Sequence, residues 1–138
     1  MIKLDLNFSF EPESYPILPD NAPQIGELQR IIGWGSTREY GEPSNILKFA
    51  NVPVFDPIIC KKRIDMFNET CQYCAGYEEG GVDACQGDSG GPIFQINGQD
   101  IAQYGIVSYG TGCAREGFPG VYTSVASLKS WILDQMRK

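Results

Sequence analysis

Hydrophobic residues fall along the chain in short bursts separated by glycine, proline and asparagine. Five bursts carry the β-branched and aromatic residues of strands: Arg30–Trp34, Leu47–Phe55, Pro92–Ile96, Ile101–Tyr109 and Val121–Val125. This spacing predicts an all-β sandwich or barrel. Between two of the bursts, Asn97-Gly98 reads as a two-residue hairpin turn, because a type I′ turn needs positive φ at both positions. From Val125 onward the period changes. Val125, Leu128, Trp131, Ile132 and Met136 follow helical spacing and predict a terminal amphipathic helix with Trp131 as its anchor. Residues 11–24, with Pro12, Pro16, Pro19 and Pro23, sustain neither helix nor central strand. They read as an extended linker that divides a short strand-like segment, Ile2–Phe10, from the rest.

At 138 residues and 42% hydrophobic content the chain can build one ordinary domain with an apolar core. Its net charge of −6 and scattered Lys and Arg argue against a nucleic-acid partner, which requires clustered cations against phosphates. No apolar run approaches the roughly 18 residues that cross a bilayer, so no membrane partner is expected. The first residues have neither the basic nor the apolar region of a secretory leader. Against that stand five cysteines (Cys60, Cys71, Cys74, Cys85 and Cys113) and two glycosylation acceptors, Asn7-Phe8-Ser9 and Asn68-Glu69-Thr70. Both features suit an oxidising, extracellular setting, and the expectation is that Met1 is not the start of a natural domain.

The chemistry concentrates in Asp83-Ala84-Cys85-Gln86-Gly87-Asp88-Ser89-Gly90-Gly91-Pro92. Gly87 to Gly91 satisfies the G-x-S-x-G pattern of an α/β-hydrolase elbow, but that elbow needs a helix after the serine and a later histidine. Here Pro92 opens a strand and the chain holds no histidine. Taken with Ile32-Gly33-Trp34-Gly35, Cys74-Ala75-Gly76-Tyr77, Val107-Ser108-Tyr109-Gly110, Pro119-Gly120-Val121-Tyr122 and Ser130-Trp131-Ile132, the longer string resembles the trypsin-like serine peptidases over nearly the whole chain.

That resemblance implies a nucleophile at Ser89, with the N–H groups of Gly87 and Ser89 stabilising the oxyanion of a tetrahedral intermediate. It puts Asp83 at the floor of the primary specificity pocket, where a carboxylate would pair with a substrate Arg or Lys. Ala84 in place of a hydroxyl residue favours Arg over Lys. Gly110 and Gly120 match the pocket walls, and Ser108 to Gly110 offer an extended edge for the substrate backbone. Asp88 matches the activation switch, whose carboxylate takes a new α-ammonium after zymogen cleavage; without it the oxyanion loop should be poorly ordered. The family pattern further implies bridges Cys60–Cys74 and Cys85–Cys113. A third bridge frequent in the family would join positions 29 and 95, both of which are Gln here. Cys71 is left over. A metal or redox site at Cys71-Gln72-Tyr73-Cys74 would need further ligands or a βαβ setting, neither of which the chain offers.

The family draws its catalytic histidine and aspartate from a first β-barrel and its nucleophile from a second. Residues 1–24 are accordingly expected to be a remnant of the first barrel and the interdomain linker. Residues 25–138 are expected to form the second antiparallel barrel with its closing helix, the first barrel being mostly missing. The expected function is that of a secreted serine endopeptidase acting on peptides or proteins with Arg or Lys, inactive without the absent barrel and requiring no cofactor. A non-catalytic module for basic peptides and one half of a two-chain enzyme are the alternatives.

Overall fold

The computed structural model describes residues 15–137. The strand-like segment expected at Ile2–Phe10 and the first residues of the linker lie outside the described residues. Six strands form one antiparallel sheet: β1 (Leu28–Gly33), β2 (Lys48–Pro53), β3 (Gln72–Ala75), β4 (Pro92–Asn97), β5 (Asp100–Tyr109) and β6 (Gly120–Ser124). Their order is β2-β1-β4-β5-β6-β3. The two ends of the sheet meet through a bridge between Val54 and Ala75, with Phe55 N donating to Cys74 O at 2.9 Å and Gly76 N to Pro53 O at 2.9 Å. The sheet is thus curled on itself as a half-barrel whose outer strands touch.

The five expected strands are present with their ends moved by one or two residues. β3 escaped sequence reading because four residues are too few to show alternation, and its conformation comes from pairing with β6. Helix α1 (Pro57–Arg63) escaped because its seven residues make fewer than two helical turns, too short to show a period, although Asp56-Pro57 is a start signal. Asp56 Oδ1 accepts from Ile58 N at 2.8 Å, and Lys61, Lys62 and Arg63 complement the far end. The disulfide Cys60–Cys74 fastens α1 to β3.

Two expectations are corrected. The β4–β5 register pairs Asn97 with Asp100, so the hairpin turns at Gly98-Gln99, one residue later than Asn97-Gly98, with Gly98 at φ 65°. The terminal helix, α2 (Val125–Met136), is present, but Trp131 is 53% exposed. Its inner stripe runs through Val125, Leu128 and Ile132, and a stripe at that spacing leaves Trp131 on its flank. Ser124 Oγ caps the helix by accepting from Ser127 N at 3.3 Å. Lys129 Nζ reaches back to Leu18 O at 2.7 Å, and Ile17 exchanges bonds with Ile101 and Gln103, so the linker lies against the start of β5.

Inside the curl, Ile31, Val52, Val54, Tyr73, Ala75, Ile93, Val107 and Tyr122 form the core, with Tyr73 and Tyr122 stacked at 5.7 Å. Gln29 is also buried, and its Oε1 accepts from Tyr73 Oη at 2.7 Å while its Nε2 has no partner among the described residues. Extending the β1–β4 register of Arg30 with Phe94 by one step sets Gln29 opposite Gln95, the two positions of the bridge that is missing here.

Candidate active site

The segment from Gly76 to Gly91 leaves β3, crosses the open end of the curl and returns as β4. Its last turn is pinned to β5 by Gly90 N donating to Val107 O and Val107 N donating to Gly91 O, each at 2.9 Å. Cys85–Cys113 ties it covalently to the loop between β5 and β6. These attachments enclose a cleft of about 190 Å³ lined by Asp83, Ala84, Ser89, Ser108, Gly110 and Gly120 among others. Along β5 the register passes from Val107 opposite Tyr122 to Tyr109 opposite Val121, leaving Ser108 at an irregularity on the cleft wall.

Asp83 is half-buried and lines both this cleft and a second hollow beside it. Its Oδ1 accepts from Ala84 N at 2.8 Å and its Oδ2 from Ala114 N at 3.1 Å. Burial pushes the carboxyl up to about 6; the two amide bonds pull against this and the negative charge of Asp88 adds to it. A Cβ at Gly120 would stand 2.5 Å from Asp83 Oδ1, so a larger residue there would push the carboxylate aside. Beside Gly120 the hydroxyl of Tyr122 is buried without a partner among the described residues, and burial followed by the charges of Asp83 and Asp88 pushes its ionisation up.

Ser89 is exposed at the cleft, and among the described residues neither its hydroxyl nor its N–H has a hydrogen-bond partner. The N–H of Gly87 is likewise unbonded among them. Gly87 sits at φ 97°, a conformation that only glycine adopts cheaply, so backbone shape alone demands it. Asp88 turns away from the cleft. Its Oδ1 accepts from Gly35 N at 2.9 Å and its Oδ2 from Cys85 N at 3.0 Å, and it lines the second hollow, of about 100 Å³, with Ile32, Gly33, Thr37 and Lys48. Both carboxylate oxygens of Asp88 are thus held by backbone amides. Cys71 is unpaired and half-buried, and no group of metal-ligating side chains occurs among the described residues.

Sequence reasoning missed Ala114, whose N–H is aimed at Asp83 by a left-handed backbone (φ 53°) that nothing in the local sequence signals. It also passed over Glu39, which joins Arg115 and Cys113 across 76 and 74 positions. Pairings at such range carry no local pattern.

A family model described as Trypsin matches residues 1–132. The chain belongs to the trypsin family. It is 37% identical over 137 residues to Trypsin 5G1 of Aedes aegypti, covering 96% of this chain and 50% of that protein. It is 47% identical over 116 residues to Trypsin eta of Drosophila erecta, covering 83% of this chain and 43% of that protein. The chain therefore spans about half the length of the curated relatives it matches. The half-barrel with its terminal helix and the two disulfides agree with a trypsin-fold barrel. No helix among the described residues is long and apolar enough to cross a membrane.

Proposed function

We propose that this chain carries the nucleophile, oxyanion donors and specificity pocket of a secreted trypsin-like serine endopeptidase that cuts after Arg or Lys, and that alone it does not cut. The observation that supports the reading is a half-buried carboxylate, Asp83, in the lining of a cleft that also takes in Ser89. A bound guanidinium or ammonium would replace the water that burial has taken from Asp83 and restore its charge. With the cation so held and a general base supplied from outside these residues to take the hydroxyl proton, Ser89 Oγ attacks the adjoining carbonyl, and the unbonded N–H groups of Gly87 and Ser89 receive the developing oxyanion. Asp88 serves in this scheme as the receptor of an activating ammonium, and Ser108 to Gly110 as the edge along which the substrate backbone lies.

None of the 138 residues is histidine, so the general base has to come from another segment or chain. An apolar hollow of about 230 Å³ lined by Pro16, Ile32, Pro92, Phe94 and Ile101 suits a covering β-barrel. In this scheme residues 1–24 are the remnant of that barrel and the linker, and residues 25–138 are the second barrel. The same lack of histidine favours, as a second reading, a module that binds basic peptides without cutting them. The test is binding of p-aminobenzamidine to the chain at pH 8, with hydrolysis of an arginyl anilide and labelling by an organophosphate measured beside it. The expected result is saturable amidinium binding with neither hydrolysis nor labelling. Failure to bind overturns the pocket, and stoichiometric labelling of Ser89 overturns the inactivity.

A further inference from the structure

The loop from Gly110 to Pro119 lines the cleft through Gly110, Gly112 and Cys113, and an ion pair unrelated to the nucleophile lies against it at Gly112. Glu39, in the loop between β1 and β2, accepts from Arg115 Nε at 2.9 Å and from Cys113 N at 3.2 Å through Oε2, and from Arg115 Nη2 through Oε1. The fork is therefore two-pronged, with a third bond to backbone. The Glu39 side chain is 18% exposed against 49% for Arg115, so the carboxylate is the better covered partner. The Arg115 hydrogen bond holds its carboxyl down to about 2 against the opposing effect of burial. The pair packs directly on the Cα of Gly112, a residue of the cleft wall, since a Cβ there would lie 2.5 Å from Glu39 Oε2.

Three consecutive residues are thereby secured: Cys113 by its N–H to Glu39 and its bridge to Cys85, Ala114 by its N–H to Asp83, and Arg115 by the fork. The loop that bears Glu39 is itself hung from the nucleophile segment, with Ser36 N donating to Gln86 O at 2.8 Å and Tyr40 N to Gln86 Oε1 at 3.3 Å. An isolated surface ion pair contributes little, because solvent screens it and two long side chains must be immobilised. This one differs in being forked, partly covered and bonded to the backbone that it orders.

We infer that Glu39 and Arg115 form a strap that positions the outer wall of the pocket, making both of them determinants of affinity for a basic side chain. The inference rests on the pocket reading proposed above. A strap and a simple charge effect make different demands. As mere charges near the cleft, Glu39 attracts a cation and Arg115 repels it, so E39Q would weaken binding and R115Q would tighten it. As a strap, losing either end loosens the same wall.

The experiment measures p-aminobenzamidine affinity at pH 8 for the wild-type chain, E39Q, R115Q and R115K, together with amide hydrogen exchange in peptides covering residues 110–118 and 92–97. The expected result is binding weakened roughly five- to tenfold in E39Q and R115Q, less than the full loss of a hydrogen bond to a charged group because the ligand feels it only through the wall. R115K, which keeps the charge and loses the fork, follows R115Q. Exchange quickens in 110–118 and stays unchanged in 92–97. Tighter binding by R115Q, or exchange in 110–118 equal to wild type, overturns the strap. Faster exchange in 92–97 as well assigns the pair to the whole fold and also overturns it. Should the wild-type chain bind no amidinium, the pocket reading falls while the exchange data still decide the strap.

Discussion

Titrating amidinium binding against pH isolates Asp83. Its carboxyl stands at about 6 in the free protein instead of 3.8, and only the ionised form pairs with a cation. The apparent dissociation constant therefore scales as one plus the ratio of protonated to ionised Asp83. That factor is about 1 at pH 8, about 2 at pH 6 and about 11 at pH 5, whereas an ordinary aspartate would leave it near 1 even at pH 5. Glu39 does not intrude, because its transition runs from 4.5 in the unfolded chain down to about 2, below the window. The linkage has a definite sign. A carboxyl raised in the folded state adds stability below pH 3.8, and that contribution is lost as pH rises through about 6. Free protein above pH 6 thus holds a charge it would rather lose, and the cation relieves it. Melting temperature with and without p-aminobenzamidine should differ most above pH 6, and D83N should show no ligand effect at any pH. An affinity that stays flat from pH 8 to pH 5 would refute the burial argument.

Ala114 at φ 53° occupies a region costly to any residue with a Cβ, so A114G should raise stability by up to about 1 kcal/mol in urea unfolding, with Asp83 still bonded. Ile93 is fully buried whereas Ile101 is 43% exposed, so I93A should cost about 3 kcal/mol and I101A well under half of that, as read by thermal melts. With Gln29 facing Gln95 across β1 and β4, Q29C/Q95C should form a bridge on oxidation and stabilise the chain by roughly 4 kcal/mol on chain-entropy grounds. Equal stability of the oxidised and reduced double variant would contradict the register.

What the chain discloses in advance follows from the range of the interactions. Strands of five or more residues announce themselves through β-branched and aromatic runs, and α2 through its period, so these were legible. β3 and α1 were not, since each depends on partners that lie far along the chain. At the cleft, Asp83, Ser89 and the glycines stand out because a contiguous string carries them. Ala114, Glu39 and Arg115 do not, because their roles exist only once two loops have been brought together. Trp131 misled for a related reason: helical spacing tells which residues share a face, and the body that the face meets decides which of them are covered.

The meeting of the sheet's two ends has a mechanical consequence. β3 holds β6 along four residues, but among the described residues its backbone is joined toward β2 only by the bridge at Val54 and Ala75 and its two flanking bonds. Such a seam is where the curl should part first, well before the hairpin of β4 and β5. Asp83 follows β3 by only eight positions, so parting there would loosen the lining of the cleft at Asp83 while leaving β4, which follows the turn that bears Ser89, intact. Seen this way, Cys60–Cys74 is a rivet placed beside the weakest joint, and cutting it should blunt cation selectivity before it unfolds the domain.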